Sequence, residues 1–579
     1  MTKFKYILKS FLHYLKANLL VAFGVAVGTM IITGSLIIGD SVRYSLEQTT
    51  FFRLGETTHL VAVSERYFRQ EMASEIEADN PEIHAAPLLL LEGVAVAGGG
   101  QQRVNRVQVV GVDHRFEKIA NTSLYSELND NEIIISRNLA QKLEISEGEY
   151  LLVRIKKASL IPLNAPFVSD EEVSVSLRAV VKKVVVKEEM GSFNLKTSQT
   201  APYNIFVSLN RLNRLMEFEG KANQLLVSTS LSNDEVQTSV KNSLTPADAG
   251  LKMKTIEATG EVEIATERVF MEHKVAQTLE QLPGANPIIS YFVNGIGMNN
   301  SVETAFVSLG DETWSGAKNG VKEIPYSFVS SLAGNQLRDD EIILTQWAAD
   351  DLGAKPGDNI TVRYLEIGPL RQLTEKKDAF IVKEIVPMSM AWADSTRMPW
   401  LPGLSDAGHC REWDAGVPID LDAIRDKDEA YWDQWKGAPK AYVSINKALQ
   451  MWENRFGVYT AVRFPAENFD EEKFYDVFAG NIFPADLGMA VEPIREQGIA
   501  AARNGTDFSG LFLGLSFFIM VAAVILTALL FRLNLETRSA EIGILSALGF
   551  REKQVRNMFL LEGFTVALAG GLLGLILSL

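Results

Sequence analysis

The sequence predicts an α-helical membrane protein with a large α+β extracytoplasmic domain built from two tandem repeated modules. Three observations carry that expectation. Charge-free apolar runs lie near both ends of a 579-residue chain, the sign of the charge changes between ends and middle, and a long segment recurs at constant spacing.

The first run, Ala17 to Gly39, holds 23 residues without a charge, and the second, Phe508 to Phe531, holds 24. At 1.5 Å rise per residue each makes a helix of roughly 35 Å, enough to cross a hydrocarbon core of about 30 Å. Helix is the form such a segment must take, because lipid offers no partner to a backbone N–H or C=O. A third run, Gly563 to Leu579, is still apolar where the sequence stops; its shortness predicts a truncated span, with the natural protein continuing. The first run is too long for an ordinary signal-peptide core, and no small-x-small cleavage site precedes Asp40, so it is expected to remain as a span.

Charge sets the expected orientation. Residues 1 to 16 carry Lys3, Lys5, Lys9 and Lys16 and no acid, which places the N-terminus in the cytoplasm by the positive-inside bias. The chain as a whole carries −16, the N-terminal segment +4 and the segment after the second run +1, which leaves −21 for the residues between the spans. Such an acidic middle argues against nucleic acid as a partner. The single cysteine, Cys410, excludes an intramolecular disulfide and a cage of cysteine ligands, so the outer domain must be stable by packing alone.

The repeat is read by laying Asn131 to Ile155 over Asp340 to Tyr364, an offset of 209 residues without a gap. Ile133 to Ile135 and Ile342 to Leu344 read as short buried strands, and Ser136 and Thr345 stand where a hydroxyl would cap a helix. Leu143 and Leu352 close a short apolar helix face, Gly148 and Gly357 supply a turn, and an alternating strand follows. Pro356 is expected outside the helix, where its ring meets no preceding turn. Two later matches, Ile205 to Leu212 with Ala441 to Leu449 and Pro246 to Gly250 with Pro484 to Gly488, lie near an offset of 238. The larger offset implies an insertion in the second copy, near 387–437.

That insertion holds Trp392, Trp400, Trp413, Trp432 and Trp435, five of the chain's eight tryptophans, so it is either a binding or membrane-interface surface or a compact flap packed on the module. Its acids, Asp420, Asp422, Asp426, Asp428 and Glu429, miss the calcium-loop spacing, which needs a glycine at the sixth position and a glutamate at the twelfth. His409 and Cys410 are adjacent, and two adjacent residues make no metal site. The expected organisation is therefore a juxtamembrane helix and first span in 1–39, modules in 40–252 and 253–507, a second span in 508–531, a cytoplasmic loop in 532–557 and a third span in 558–579.

Chemistry-bearing motifs are absent: the sequence holds no GxxxxGK[ST] phosphate loop, no G-x-S-x-G and no H-E-x-x-H, and no enzyme activity, metal or cofactor is expected of it. The informative segment is the loop after the second span. Ile542, Leu545 and Leu548 recur every third residue, and Gly549 stands where a helix would end. A short helix of this kind can lie on lipid or dock into a partner protein. Phe4, Ile7, Leu8, Phe11 and Leu15 form a similar apolar face ahead of the first span, which reads as an interfacial helix. Small-xxx-small pairs, which let helix backbones approach closely, occur in each span as Gly24/Gly28, Gly510/Gly514 and Gly570/Gly574.

The run from Glu541 to Gly549, directly after a span and followed by Gln554, Val555 and Leu560 to Gly563, resembles the FtsX/MacB-type permease family of ABC systems. So does the opening, a basic amphipathic segment followed by Leu19 to Gly24, and so do Val110 to Asp113 and Ser136 to Ala140 in the first module. The resemblance implies four spans per unit with the outer domain between the first and second, a second permease copy, and an ABC ATPase subunit that binds the ATP. It implies that Glu541, Ile542, Leu545, Leu548 and Gly549 form the contact with that ATPase, and that ATP-driven closure moves the outer domain. The expected task is export or extraction of a lipoprotein, lipid, peptide or drug, with a periplasmic adaptor as a further partner. The rival task is mechanical activation of a cell-wall hydrolase, with nothing transported. This chain departs from the family pattern in stopping at its third span and in carrying two outer modules.

Overall fold

The computed structural model describes residues 9–10, 12–162, 165, 174–198, 200–298, 322–334, 336–368, 372–389, 391–414, 416–504 and 508–579. Most of the apolar face expected ahead of the first span, from Phe4 to Phe11, lies outside the described residues. The chain divides into a helical unit, residues 1–54 and 495–579 with a short piece at 195–199, and an outer unit, residues 55–194 and 200–494.

In the helical unit α1 runs from Leu15 to Leu54. It continues well beyond the apolar run because nothing between Gly39 and Leu54 breaks it: the stretch holds no glycine or proline, and Arg43 pairs with Asp40 one turn back. Among the described residues, three helices of the unit are long and apolar enough to cross a membrane, α1 among them.

The outer unit is built on two rings of six strands. The first ring uses β2 (His84–Ala97), β3 (Gln102–Val112), β4 (Glu132–Ser136), β5 (Tyr150–Lys156), β6 (Ser174–Val185) and β7 (Asn204–Ser208), after an outlying β1 (His59–Val63) and before β8 (Gln224–Ser228). Its order is β2-β3-β7-β4-β6-β5, and β5 pairs back to β2. Beyond β9 (Leu251–Ile256), β10 (Glu261–Thr266) and β11 (Asn286–Ile288) comes the second ring. It uses β12 (Ser290–Met298), β13 (Glu323–Leu332), β14 (Glu341–Thr345), β15 (Asn359–Ile367), β16 (Leu373–Val386) and β17 (Ala441–Ser444), in the order β12-β13-β17-β14-β16-β15. Each strand of one ring thus has its counterpart in the other. The two parallel pairings in each fall at matching places, β3–β7 with β13–β17 and β4–β6 with β14–β16. Even an irregularity is shared: the register shifts between Ile133 and Ile134 and again between Ile342 and Ile343. The two similar closed sheets are consistent with a tandem-repeated module.

Local chemistry repeats as well. The strand–helix–turn–strand segment is β4, α2 (Arg137–Leu143) and β5 in one copy, and β14, α3 (Gln346–Leu352) and β15 in the other. Gly148 and Gly357 take φ +89 and +95, a left-handed turn that glycine adopts without strain, and Pro356 lies beyond the end of α3. The caps differ. Thr345 Oγ1 accepts the Ala348 N–H at 3.4 Å, whereas the Ser136 hydroxyl accepts the Asn204 N–H at 2.9 Å and ties α2 to β7.

Two outlying sheets are completed by exchange. β8 pairs with β2, β1 with β8, and the last strand of the unit, β19 (Met489–Glu492), with β1. In the second half β18 (Ala461–Pro465) and β10 pair likewise, and β9 pairs with β10. β9 follows Pro246 to Gly250 and β19 follows the matching Pro484 to Gly488, so the closing strand of each copy pairs into the sheet of the other. One apolar cluster accordingly runs through both copies, from Val61 and Phe68 to Phe464 and Met489. A second cluster, with Leu89, Val107, Ile133, Leu177 and Ile205, fills the first ring.

The tryptophan-rich insertion is a flap on the second ring. Trp413 and Trp432 are buried and meet edge to face at 5.0 Å, Trp413 also meets Phe292 at 5.6 Å, and Trp392 packs on Tyr442 at 5.3 Å. Of the five only Trp400 is exposed. Its acids serve the fold: in α4 (Asp426–Trp435) Asp428 holds Arg425 at 2.6 Å and faces Lys440 at 3.6 Å, while Glu429 accepts from the Cys410 N–H and pairs with His409. Among the described residues no group of three or more His, Cys, Asp or Glu is placed to hold a metal ion.

Candidate coupling site

Within the helical unit α5 (Phe508–Thr537), α6 (Ser539–Ala547) and α7 (Glu552–Leu577) follow one another with only four residues between the last two. Gly549 turns the chain at φ +88. The Phe550 N–H reaches back to the Leu545 carbonyl at 3.2 Å, and that of Gly549 reaches the Ser546 carbonyl at 3.1 Å. These two bonds are the glycine-terminated helix end that the sequence suggested.

The apolar stripe read from spacing does not meet one environment. Leu545 is buried within the chain, Ile542 is half-buried, and Leu548, just past the helix, is 69% exposed. Ile544 and Phe550 are exposed beside it at 62% and 40%. An outward apolar patch therefore exists at this loop, made of Ile544, Leu548 and Phe550, while Leu545 seats the helix. Glu541 accepts a hydrogen bond from Arg538 Nε at 3.0 Å, so its carboxylate is engaged within the chain.

Arg538 is the centre of a polar network that spacing did not reveal. It sits between α5 and α6, 2% exposed. Its Nη1 lies 3.0 Å from Glu562 of α7, and its Nη2 donates to the Ser10 hydroxyl at 2.5 Å. The guanidinium is flanked by the rings of Tyr14 at 4.2 Å and Phe559 at 4.6 Å. Glu562, also buried, accepts from Ser10 at 3.1 Å and from Asn18 of α1 at 3.3 Å, and Asn534 of α5 donates to Asn18 at 2.9 Å. The signal was present: Asn18 interrupts an apolar run, and Glu562 precedes one. Polar residues at such positions face a helix bundle's interior and pair with one another.

Four of the six glycines singled out from sequence stand at helix contacts. A Cβ on Gly24 would lie 2.8 Å from Thr527 Oγ1 of α5, and one on Gly28 would touch Ala523 at 3.8 Å. On Gly570 and Gly574 of α7 it would come within 2.4 Å and 2.5 Å of the Ala22 and Ala26 carbonyl oxygens of α1. Gly514 meets nothing within 4 Å, and Gly510 is exposed.

The family comparisons meet this geometry at both ends. The profile of the MacB-like periplasmic core domain matches residues 19–247, and that of the FtsX-like permease C-terminal domain matches residues 513–579. No curated protein sequence matches the chain. Among solved structures, the extracellular domain of the noncanonic ABC-type transporter YknZ from Gram-positive bacteria is 12% identical. That match covers 32% of this chain and 88% of that one, with a TM-score of 0.20. The periplasmic region of MacB from Actinobacillus actinomycetemcomitans is 9% identical over 40% of this chain and 97% of that one, with a TM-score of 0.23.

Proposed function

Because the chain carries both a MacB-like periplasmic core domain and an FtsX-like permease C-terminal domain, and so matches an FtsX/MacB-type ABC permease, we propose that it converts ATP hydrolysis by a partner ATPase into movement of its outer unit. In this reading the N-terminus and the loop carrying α6 face the cytoplasm and the outer unit faces the periplasm. A second permease copy completes the assembly, and the movement serves export or extraction of a lipoprotein, lipid, peptide or drug. The observation that carries the reading is the outward apolar patch of Ile544, Leu548 and Phe550 at the end of a short helix and the turn after it, between two helices long and apolar enough to cross a membrane. Exposed apolar side chains at a tight loop suit a protein groove, where a few such anchors supply most of the affinity.

The test uses the ATPase that co-purifies with the full-length chain. Leu548→Asp puts a charge at the centre of the patch, and desolvating an unpaired carboxylate costs on the order of several kcal/mol. ATPase recovery and permease-stimulated hydrolysis are both expected to fall at least about tenfold. Ser546→Asp, exposed on α6 but off the patch, is expected to keep both. Full retention in Leu548→Asp would refute the docking face. Orientation is checked on spheroplasts after Cys410→Ser: an impermeant thiol reagent is expected to label Ser64→Cys and to spare Ser546→Cys.

A further inference from the structure

We infer that Arg538 and Glu562, with Ser10, Asn18 and Asn534, form a clasp that fixes the position of α6 against α1 and α7, so that α6 and α1 move together. Burying two opposite charges among membrane-crossing helices is expensive, and well-packed apolar side chains of equal volume would generally hold the same helices as well or better. What an ion pair adds is direction. The guanidinium is a rigid planar fork, and here Nε is committed to Glu541, Nη1 to Glu562 and Nη2 to Ser10, with the Tyr14 and Phe559 rings close to it. Through it the first turn of α6 is tied to α7, and through Glu562 and Asn18 to α1 and α5.

The rest of α1 supports a lever rather than a local staple. Further along the helix the close contacts at Gly24 with α5 and at Gly570 and Gly574 with α7 grip the same partners. α1 is thus held at successive levels, and it continues as one helix to Leu54, where the outer unit begins. A displacement imposed on α6 is passed to α1 at the clasp instead of being absorbed in the loop. The positioning role of Arg538 rests on the reading of α6 as the ATPase contact; the geometry of the clasp does not.

The experiment is run on the full-length chain in nanodiscs after Cys410→Ser, with spin labels at Ser546→Cys on α6 and Ser45→Cys on α1. The parent is expected to give one narrow distance distribution. Glu562→Gln, which keeps one of the two acceptor oxygens used by Ser10 and Asn18 but removes the charge, is expected to broaden it, as is the double variant Arg538→Met/Glu562→Met. The double variant separates positioning from stability, since replacing both charges by apolar groups is expected to leave thermal stability unchanged or raised. It is expected to retain the co-purifying ATPase yet lose stimulated hydrolysis about tenfold. An unchanged narrow distribution in the double variant would overturn the clasp. If the distribution broadens while stimulated hydrolysis stays at the parent level, the clasp stands and the reading of α6 as the point of transmission fails.

Discussion

Lys440 shows how a single side chain can be legible in type and illegible in role. Its amine is buried between the rings of Trp347 at 4.3 Å and Tyr431 at 4.6 Å, facing Asp428. Burial pushes its pKa down to about 8, against the opposing pull of Asp428. Asp428 itself is raised by burial but lowered more by Arg425 and Lys440, and the net direction is down. The signs give opposite consequences. The folded chain holds the Lys440 proton less tightly than the unfolded chain, whose lysines titrate near 10.4, so unfolding takes up a proton between about pH 8 and that value. Stability at this site therefore rises with pH through that window, by up to about 3 kcal/mol. The contribution of Asp428 is complete above an ordinary carboxylate pKa near 4 and is lost as acid protonates it. Tryptophan fluorescence should show the midpoint of thermal unfolding rising between pH 7.5 and 9.5 in the parent, and rising less in Lys440→Met, which leaves Asp428 its bond to Arg425. Equal slopes would contradict the assignment. The acids of the insertion stood out in the sequence; the partner Lys440 did not, because folding brings it to Asp428, whereas Arg425 meets Asp428 from three residues away.

At the scale of elements, periodicity identified faces but not what they meet. The three small-xxx-small pairs are equivalent as strings, yet only those of α1 and α7 are wholly used, since which face of a helix finds a neighbour depends on all its neighbours. Gly570→Leu should force α7 away from the Ala22 carbonyl and destabilise the helical unit by about 1–3 kcal/mol, measured by loss of helical circular dichroism on heating. Gly514→Leu, in open space, should change nothing there; equal losses would show that the contact with α1 is not the cause. The stripe on α6 teaches the same lesson. Spacing by three placed Ile542, Leu545 and Leu548 together, but the helix stops at Ala547, and the turn that follows sends Leu548 outward while Leu545 stays inside. The network around Arg538 escaped a periodic reading altogether, because it assembles from helices hundreds of residues apart, from Ser10 to Glu562.

For the whole molecule, the gapless offset raised the expectation of a duplication, with which the two similar closed sheets are consistent, and the jump in that offset raised the expectation of an insertion. The exchange of closing strands was not legible: β19 is four residues long and nothing in it names its partner. That exchange predicts that the two copies unfold as one cooperative body. All eight tryptophans lie between 314 and 452, in the second half, whereas a dye on Ser64→Cys would sit at the end of β1 in the first. The two signals should give coincident unfolding transitions. Val61→Asp, at a fully buried position of β1 opposite Val491, should shift both together by on the order of 3 kcal/mol. Two separated transitions would show that the copies fold independently. The same strand has a consequence in time. At about 5–20 residues per second, the roughly 430 residues between β1 and β19 take about 20–90 s to synthesise. The second copy has every strand it needs once β18 has emerged, since β9 was made long before. The first copy, although made first, is finished last, and until then β1 presents a bare edge to any strand that arrives.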